Sequence, residues 1–163
     1  MTDWIALDVV SFWELLLRVM LAIFFGLSLG IDREFKGKTI DFKAYMIIAA
    51  SSCVVAVLGQ EIYQDYATAE EVVVVDLSRI VAGVLTGIGF LGAGAIIKVG
   101  DRRVMGTATG ASIWASGVIG LALGFGFYGI ALVGFFATTL ILTVFGQLER
   151  PSKSHQDEDG KDD

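Results

Sequence analysis

Three groups of ionisable side chains stand against long apolar runs in this 163-residue chain, and any chemistry it performs starts from them. Glu14 and Arg18 are four residues apart, so a helix would carry them on one face as an ion pair. Asp32-Arg33-Glu34 ends an apolar run with two carboxylates beside one guanidinium. That set suits a divalent cation, a lipid phosphate or the carbonyl end of a helix. Asp76-Leu77-Ser78-Arg79 opens another run, and an aspartate there suits the exposed N–H groups of a helix start. Inside the runs, polarity is limited to hydroxyls and an indole: Ser28, Ser51, Ser52, Thr86, Thr107, Thr109, Ser112, Trp114 and Ser116. These make hydrogen bonds but supply no nucleophile–base pair. The single cysteine, Cys53, sits in an apolar run, and the single histidine, His155, sits in an acidic tail. No Walker loop, HExxH, CxxC or GxSxG occurs. Gly87-Ile88-Gly89-Phe90-Leu91-Gly92 matches GxGxxG by letters, but it lies within an apolar run with no strand before it, so a dinucleotide site is not expected. Magnesium seeks oxygen ligands, usually carboxylates, and no carboxylate falls near the middle of a run. The residues predict no enzyme, no cofactor and no intramembrane metal cluster in one subunit.

The elements that must position these residues are membrane spans. The chain is 55% hydrophobic and 18% charged, with mean hydropathy +0.70. Soluble domains are about 25% charged, and a chain this short has no soluble core large enough to hide so much apolar surface. A crossing helix needs about 20 apolar residues. Residues 44–60 and 80–97 carry no charge, and 104–148 is an uncharged run too long for one span. The glycines at 124, 126 and 129 provide a turn within it. The first span extends back through Arg18 and Glu14 to Phe12, because Ser11-Phe12-Trp13-Glu14 fits a capping box. The expected fold is an all-α membrane protein, a bundle of five transmembrane helices over residues 12–31, 44–62, 79–98, 104–123 and 127–148. Residues 61–76 form an acidic loop, and 149–163 a disordered acidic tail outside the 1–148 transmembrane domain.

Orientation follows from the basic residues, which favour the cytoplasmic side of short loops. Ten of the twelve fall in 32–43, 98–103 and the tail. Five spans put all three segments on one face, with the N-terminus outside and the C-terminus cytoplasmic. Fourteen of the 20 glycines lie between Gly83 and Gly134, several four residues apart. Helices in lipid approach closely over such residues. Gly26, Gly30, Gly83, Gly87, Gly89, Gly92, Gly94, Gly120 and Gly124 are therefore expected at helix contacts, inside one subunit or in a homo-oligomer. The net charge of −6 argues against nucleic acid as a partner.

Gly30-Ile31-Asp32-Arg33-Glu34-Phe35-Lys36-Gly37-Lys38 resembles the end of the first helix in the MgtC/SapB membrane-protein family. Asp76-Leu77-Ser78-Arg79-Ile80 followed by the glycine string from Gly87 to Ile97 resembles its most characteristic stretch. Gly106-Thr107-Ala108-Thr109 through Trp114-Ala115 and Ile119-Gly120 resembles its fourth helix. The chain departs from the usual family pattern at Gly83, where a glutamine is common, and at Lys43-Ala44-Tyr45, where Arg-Thr-His is common. The resemblance implies a bacterial inner-membrane protein linked to magnesium homeostasis, stress adaptation or virulence. It implies regulation through contact with membrane partners such as the ATP synthase. The alternative is an oligomeric transporter or channel for Mg²⁺ or another small ion, with carboxylate rings of Glu34, Asp76 or Glu14 selecting cations. The residues assigned to partner or ion contact are Arg33, Glu34, Asp76, Arg79, Thr107, Thr109 and Trp114.

Overall fold

The computed structural model describes residues 7–35, 41–68, 75–99 and 103–148. Its order is α1 (Phe12–Phe35), α2 (Phe42–Thr68), α3 (Leu77–Gly94), β1 (Ile97–Val99), β2 (Arg103–Met105), α4 (Thr107–Gly124) and α5 (Tyr128–Leu148). All five helices are long and apolar enough to cross a membrane.

The helix starts follow the local chemistry. Ser11 Oγ accepts the Glu14 N–H at 3.2 Å, which caps α1. Glu14 does not complete the box by reaching back; its carboxylate turns to Arg18 instead. Asp76 caps α3 by accepting the Ser78 N–H at 2.9 Å and the Ser78 hydroxyl at 2.6 Å. Between α4 and α5 the turn predicted at the glycines is present, and Gly126 adopts φ +80 within it.

Packing is organised around α4. Its span is 67% buried, whereas α3 and α5 are each 11% buried. Small residues make this possible, since a helix flanked by Gly, Ala and Ser lets neighbouring backbones approach on every side. A Cβ on Gly120 would lie 2.2 Å from the Ala49 carbonyl oxygen, and one on Gly124 would lie 2.4 Å from that of Cys53. Gly92 of α3 and Gly110 of α4 meet backbone to backbone in the same way. α1 closes on α2 over Gly26 and Gly30, which face Tyr45 and Phe42. Phe25 stacks on Phe135 at 4.7 Å and ties α5 to α1. Large apolar side chains on the periphery, such as Trp13 and Val133, stay exposed, as a bundle surrounded by hydrocarbon requires.

Three expectations change. The third span stops at Gly94, and residues expected to be helical on either side of 99–103 form a short antiparallel hairpin, with Lys98 opposite Val104. β-Branched Ile96, Ile97, Val99 and Val104 favour strands, and Gly100-Asp101 between them is a hairpin signal. The fourth helix accordingly begins at Thr107 rather than 104. The second helix continues to Thr68, taking up half of the expected acidic loop. The tail 149–163 and residues 69–74 of the expected acidic loop lie outside the described residues.

Candidate functional site

Two polar clusters lie at opposite ends of α4, and α1 supplies an arginine to each. Arg18 and Arg33 are both buried, at 7% and 4% exposure. They are fifteen residues apart in sequence, or about 22 Å along a helix.

At the Arg18 end, the guanidinium pairs with Glu14, and Nη1 donates to the Gly124 carbonyl at 2.5 Å. Gln60 Nε2 donates to the same carbonyl at 2.7 Å. That oxygen belongs to the last residue of α4, where carbonyls lack helical partners, so α1 and α2 together satisfy it. One residue further on, the Glu61 carboxylate accepts the N–H groups of Asp8, Val9 and Val10 at 2.8–3.2 Å. This carboxylate straps the segment before α1 to α2.

At the Arg33 end, Nη2 donates to Thr109 Oγ1 at 3.1 Å. Ser112 Oγ donates to the Thr109 carbonyl at 2.9 Å, and Tyr45 Oη lies 3.0 Å from Ser112 Oγ. With the serine proton committed to the carbonyl, Tyr45 is the donor in that pair. A chain of hydrogen bonds thus links α1, α4 and α2 through four buried side chains.

From the expected set the structure brings together Arg33 with Thr109 and, at the other end of the bundle, Asp76 with Arg79. Glu34, Thr107 and Trp114 are exposed. Asp76 and Arg79 pair with each other at 3.5 Å at the start of α3, both outward. The Ser78 hydrogen bonds, and then the Arg79 charge, hold the Asp76 carboxyl below its ordinary range. Of the nine glycines expected at contacts, Gly26, Gly30, Gly92, Gly120 and Gly124 are in tight contact, whereas Gly83, Gly87, Gly89 and Gly94 have nothing within 4 Å. Gln60, Glu61 and Tyr45 escaped the sequence reading as site residues. The adjacent Gln60-Glu61 pair ending an apolar run was the available signal, because polar groups at membrane depth need partners.

Chemically, the clusters offer hydrogen-bond donors, two buried cations and carbonyl acceptors. Among the described residues no group of three His, Cys, Asp or Glu is placed to hold a metal ion. Cys53 is a free, buried thiol.

Comparison with known proteins adds the family. The chain is 38% identical over 125 residues to an uncharacterized protein of Haemophilus influenzae, covering 77% of this chain and 51% of the relative. It is 33% identical over 135 residues to the "Putative magnesium transporter YhiD" of Escherichia coli strain K12, covering 83% and 62%. It is 32% identical over 115 residues to Protein SapB of Bacillus subtilis, covering 71% and 49%. The chain thus spans about half to three-fifths of the length of these relatives. No solved structure matches it with significance. The family model described as the MgtC family matches residues 19–151, which takes in α1 from Val19 onward, the other four helices and the Arg33 cluster, while Glu14 and Arg18 lie just before it. The chain belongs to the MgtC family.

Proposed function

We propose that this protein is a non-enzymatic, multi-pass protein of the bacterial inner membrane. It serves magnesium homeostasis or stress adaptation by helix–helix contact with membrane partners, the ATP synthase among them, and it self-associates. The observation that carries this reading is the outer face of α3. Gly83, Gly87 and Gly94 stand open there, and Phe90 is 80% exposed beside them. A glycine costs helix stability relative to alanine in a helix interior. Three open glycines on one helix face are therefore supported better by a backbone approaching from another protein than by packing within this one. The magnesium link rests on the name of the Escherichia coli relative.

The test is proximity in native membranes. Copies of the chain carrying donor and acceptor fluorophores should show energy transfer, and Gly83→Ile with Gly87→Ile should remove at least half of it while the protein still inserts. Co-purification of a membrane partner should fall in parallel. Energy transfer and co-purification unchanged in the double variant would reject the α3 contact.

The second reading, an ion transporter, also rests on that relative's name. Liposomes holding the purified protein distinguish the two. Magnesium flux that falls with Glu34→Gln or Asp76→Asn would favour transport, and no flux above empty liposomes would favour the contact role.

A further inference from the structure

The two spans joined by the hairpin are the shortest of the five, at 18 residues each. The ion pair of Asp76 and Arg79 stands outward at the start of α3. The apolar part of α3 therefore runs from Ile80 to Gly94, about 22 Å of helix. A hydrocarbon core is about 30 Å thick, which leaves about 8 Å uncovered at the Arg33 end. The chain that continues there is not helical. Ala95, Ile96 and Ile97 lead out, and Val104, Met105 and Gly106 lead back, with no charge before Lys98. Three extended residues cover about 10 Å, enough to close the gap. The ribbon leaves the bundle at one point, because Gly106 passes so close to Ala95 that a Cβ on it would lie 1.8 Å from the Ala95 carbonyl oxygen. Beyond that point Ile96, Ile97, Val104 and Met105 are 45–60% exposed. The register sets Ile97 beside Met105, and Val104 beside Lys98. Successive side chains of a strand point to opposite faces, so both faces of the ribbon carry free apolar groups.

We infer that this hairpin is a membrane-interface anchor whose partner is the phospholipid leaflet at the Arg33 end of the bundle. Its apolar side chains meet the acyl chains just beneath the headgroups, and the exposed Lys98 reaches out to the headgroup phosphates. Two features select lipid as the occupant. The length of α3 sets these side chains at the edge of the hydrocarbon. A docked protein covers one face of a ribbon, whereas a surrounding lipid phase covers both. The backbone limits how deep the ribbon can go. The outer edges of a two-stranded ribbon present unpaired N–H and C=O groups, which lipid-exposed hydrocarbon does not tolerate. The ribbon therefore lies at the boundary, where water and headgroups pair those edges. It completes the crossings of α3 and α4 without further helical turns and fixes the depth of both. The anchor does not depend on the contact role of α3.

The experiment measures depth in the full chain, reconstituted in liposomes of phosphatidylethanolamine and phosphatidylglycerol. In a Cys53→Ser background, one nitroxide label at a time is attached at Ile97→Cys, Lys98→Cys, Val104→Cys, Met105→Cys or Leu140→Cys. Relaxation by oxygen, which concentrates in hydrocarbon, is compared with relaxation by a water-soluble nickel chelate. Leu140, 60% exposed near the middle of α5, calibrates the scale. Its label should lie within about 5 Å of the bilayer centre. The labels at Ile97, Val104 and Met105 should favour oxygen and lie about 15 Å from the centre, at the hydrocarbon edge. The label at Lys98 should favour the nickel chelate. If the nickel chelate dominates at Ile97 and Val104, the ribbon stands in water and the inference is overturned. If either face is shielded from both relaxants, protein covers it, a second copy or another partner, and the inference is overturned equally. Met105 repeats the Ile97 face, so a label that disturbs one position leaves the other to decide.

Discussion

Arg18 shows how a single buried charge is made tolerable. Its partners are a carboxylate one turn earlier and the terminal carbonyl of α4. Replacing Arg18 with leucine leaves Glu14 without its cation and the Gly124 carbonyl with Gln60 alone. Replacing Glu14 with glutamine leaves a buried guanidinium without its counter-charge. Each single change should lower unfolding stability in detergent by about 2 kcal/mol. The double variant should cost clearly less than the sum, because the second change relieves what the first exposed. Additive losses in denaturant titrations would show that the two residues act separately. Asp76 makes a different residue-level prediction. Its carboxyl is held below its ordinary value of 3.8 by the Ser78 hydrogen bonds. A depressed carboxylate stabilises the folded state above the ordinary value and loses that contribution as pH falls through the lower, folded value. The start of α3 should therefore loosen in acid below about pH 4, read as lost amide protection at Ser78 after correction for intrinsic exchange. Asp76→Asn keeps an acceptor oxygen but does not titrate, so its protection should not change across that window. At this scale the sequence exposed the candidates but not their meetings. Arg33 and Thr109 were each singled out, yet they are 76 residues apart, and nothing local to either specifies the other.

The helices were legible as elements because apolar run length is a composition signal that needs no tertiary information. The hairpin was not, because Ile96, Ile97 and Val104 continue the apolar run on either side of Lys98 and hide a change from helix to strand. The central position of α4 had a signal of its own. Small residues occur on all its faces, as expected for a helix with neighbours all round. Gly83 and Gly87 of α3 share the four-residue spacing of Gly120 and Gly124 of α4 but have opposite surroundings, since burial depends on which helix occupies the centre. That difference is testable with one methyl group. Gly120→Ala must push its Cβ into the Ala49 carbonyl, at 2.2 Å, and should cost about 2 kcal/mol or more from overpacking. Gly87→Ala meets nothing within 4 Å and should stabilise the isolated subunit by a few tenths to about 1 kcal/mol through helix propensity. Equal effects of the two substitutions on thermal melting would contradict the central placement of α4.

For the whole molecule, the contacts fix the direction of most of the helices. Gly30 meets Phe42 while Val10 meets Glu61, so α1 and α2 are antiparallel. Gly92 meets Gly110 while Gly117 meets Ile88, so α3 and α4 are antiparallel too. Gly120 meets Ala49 while Gly124 meets Cys53, so α2 and α4 run the same way. A tight turn at Gly126 then sends α5 back along α4. Every connection reverses the chain, and five reversing helices leave Phe12 and Leu148 at opposite poles. The pole of Arg33 also holds Lys43 and Lys98, whereas the other pole keeps Arg18 and Arg79. The basic pole should face the cytoplasm, where lysine and arginine in short loops are retained during insertion. Single-cysteine labelling tests both parts of the argument in a Cys53→Ser background. Asp8→Cys should react with an impermeant maleimide in intact spheroplasts, and Ser154→Cys should react only after the membrane is opened. Reaction of both without opening would mean that one helix fails to cross, and the long α2 with its polar last third, Gln60 to Thr68, would be the first to re-examine. Reaction of Ser154→Cys alone would keep five crossings but invert them, leaving the basic pole on the side that the charge distribution disfavours.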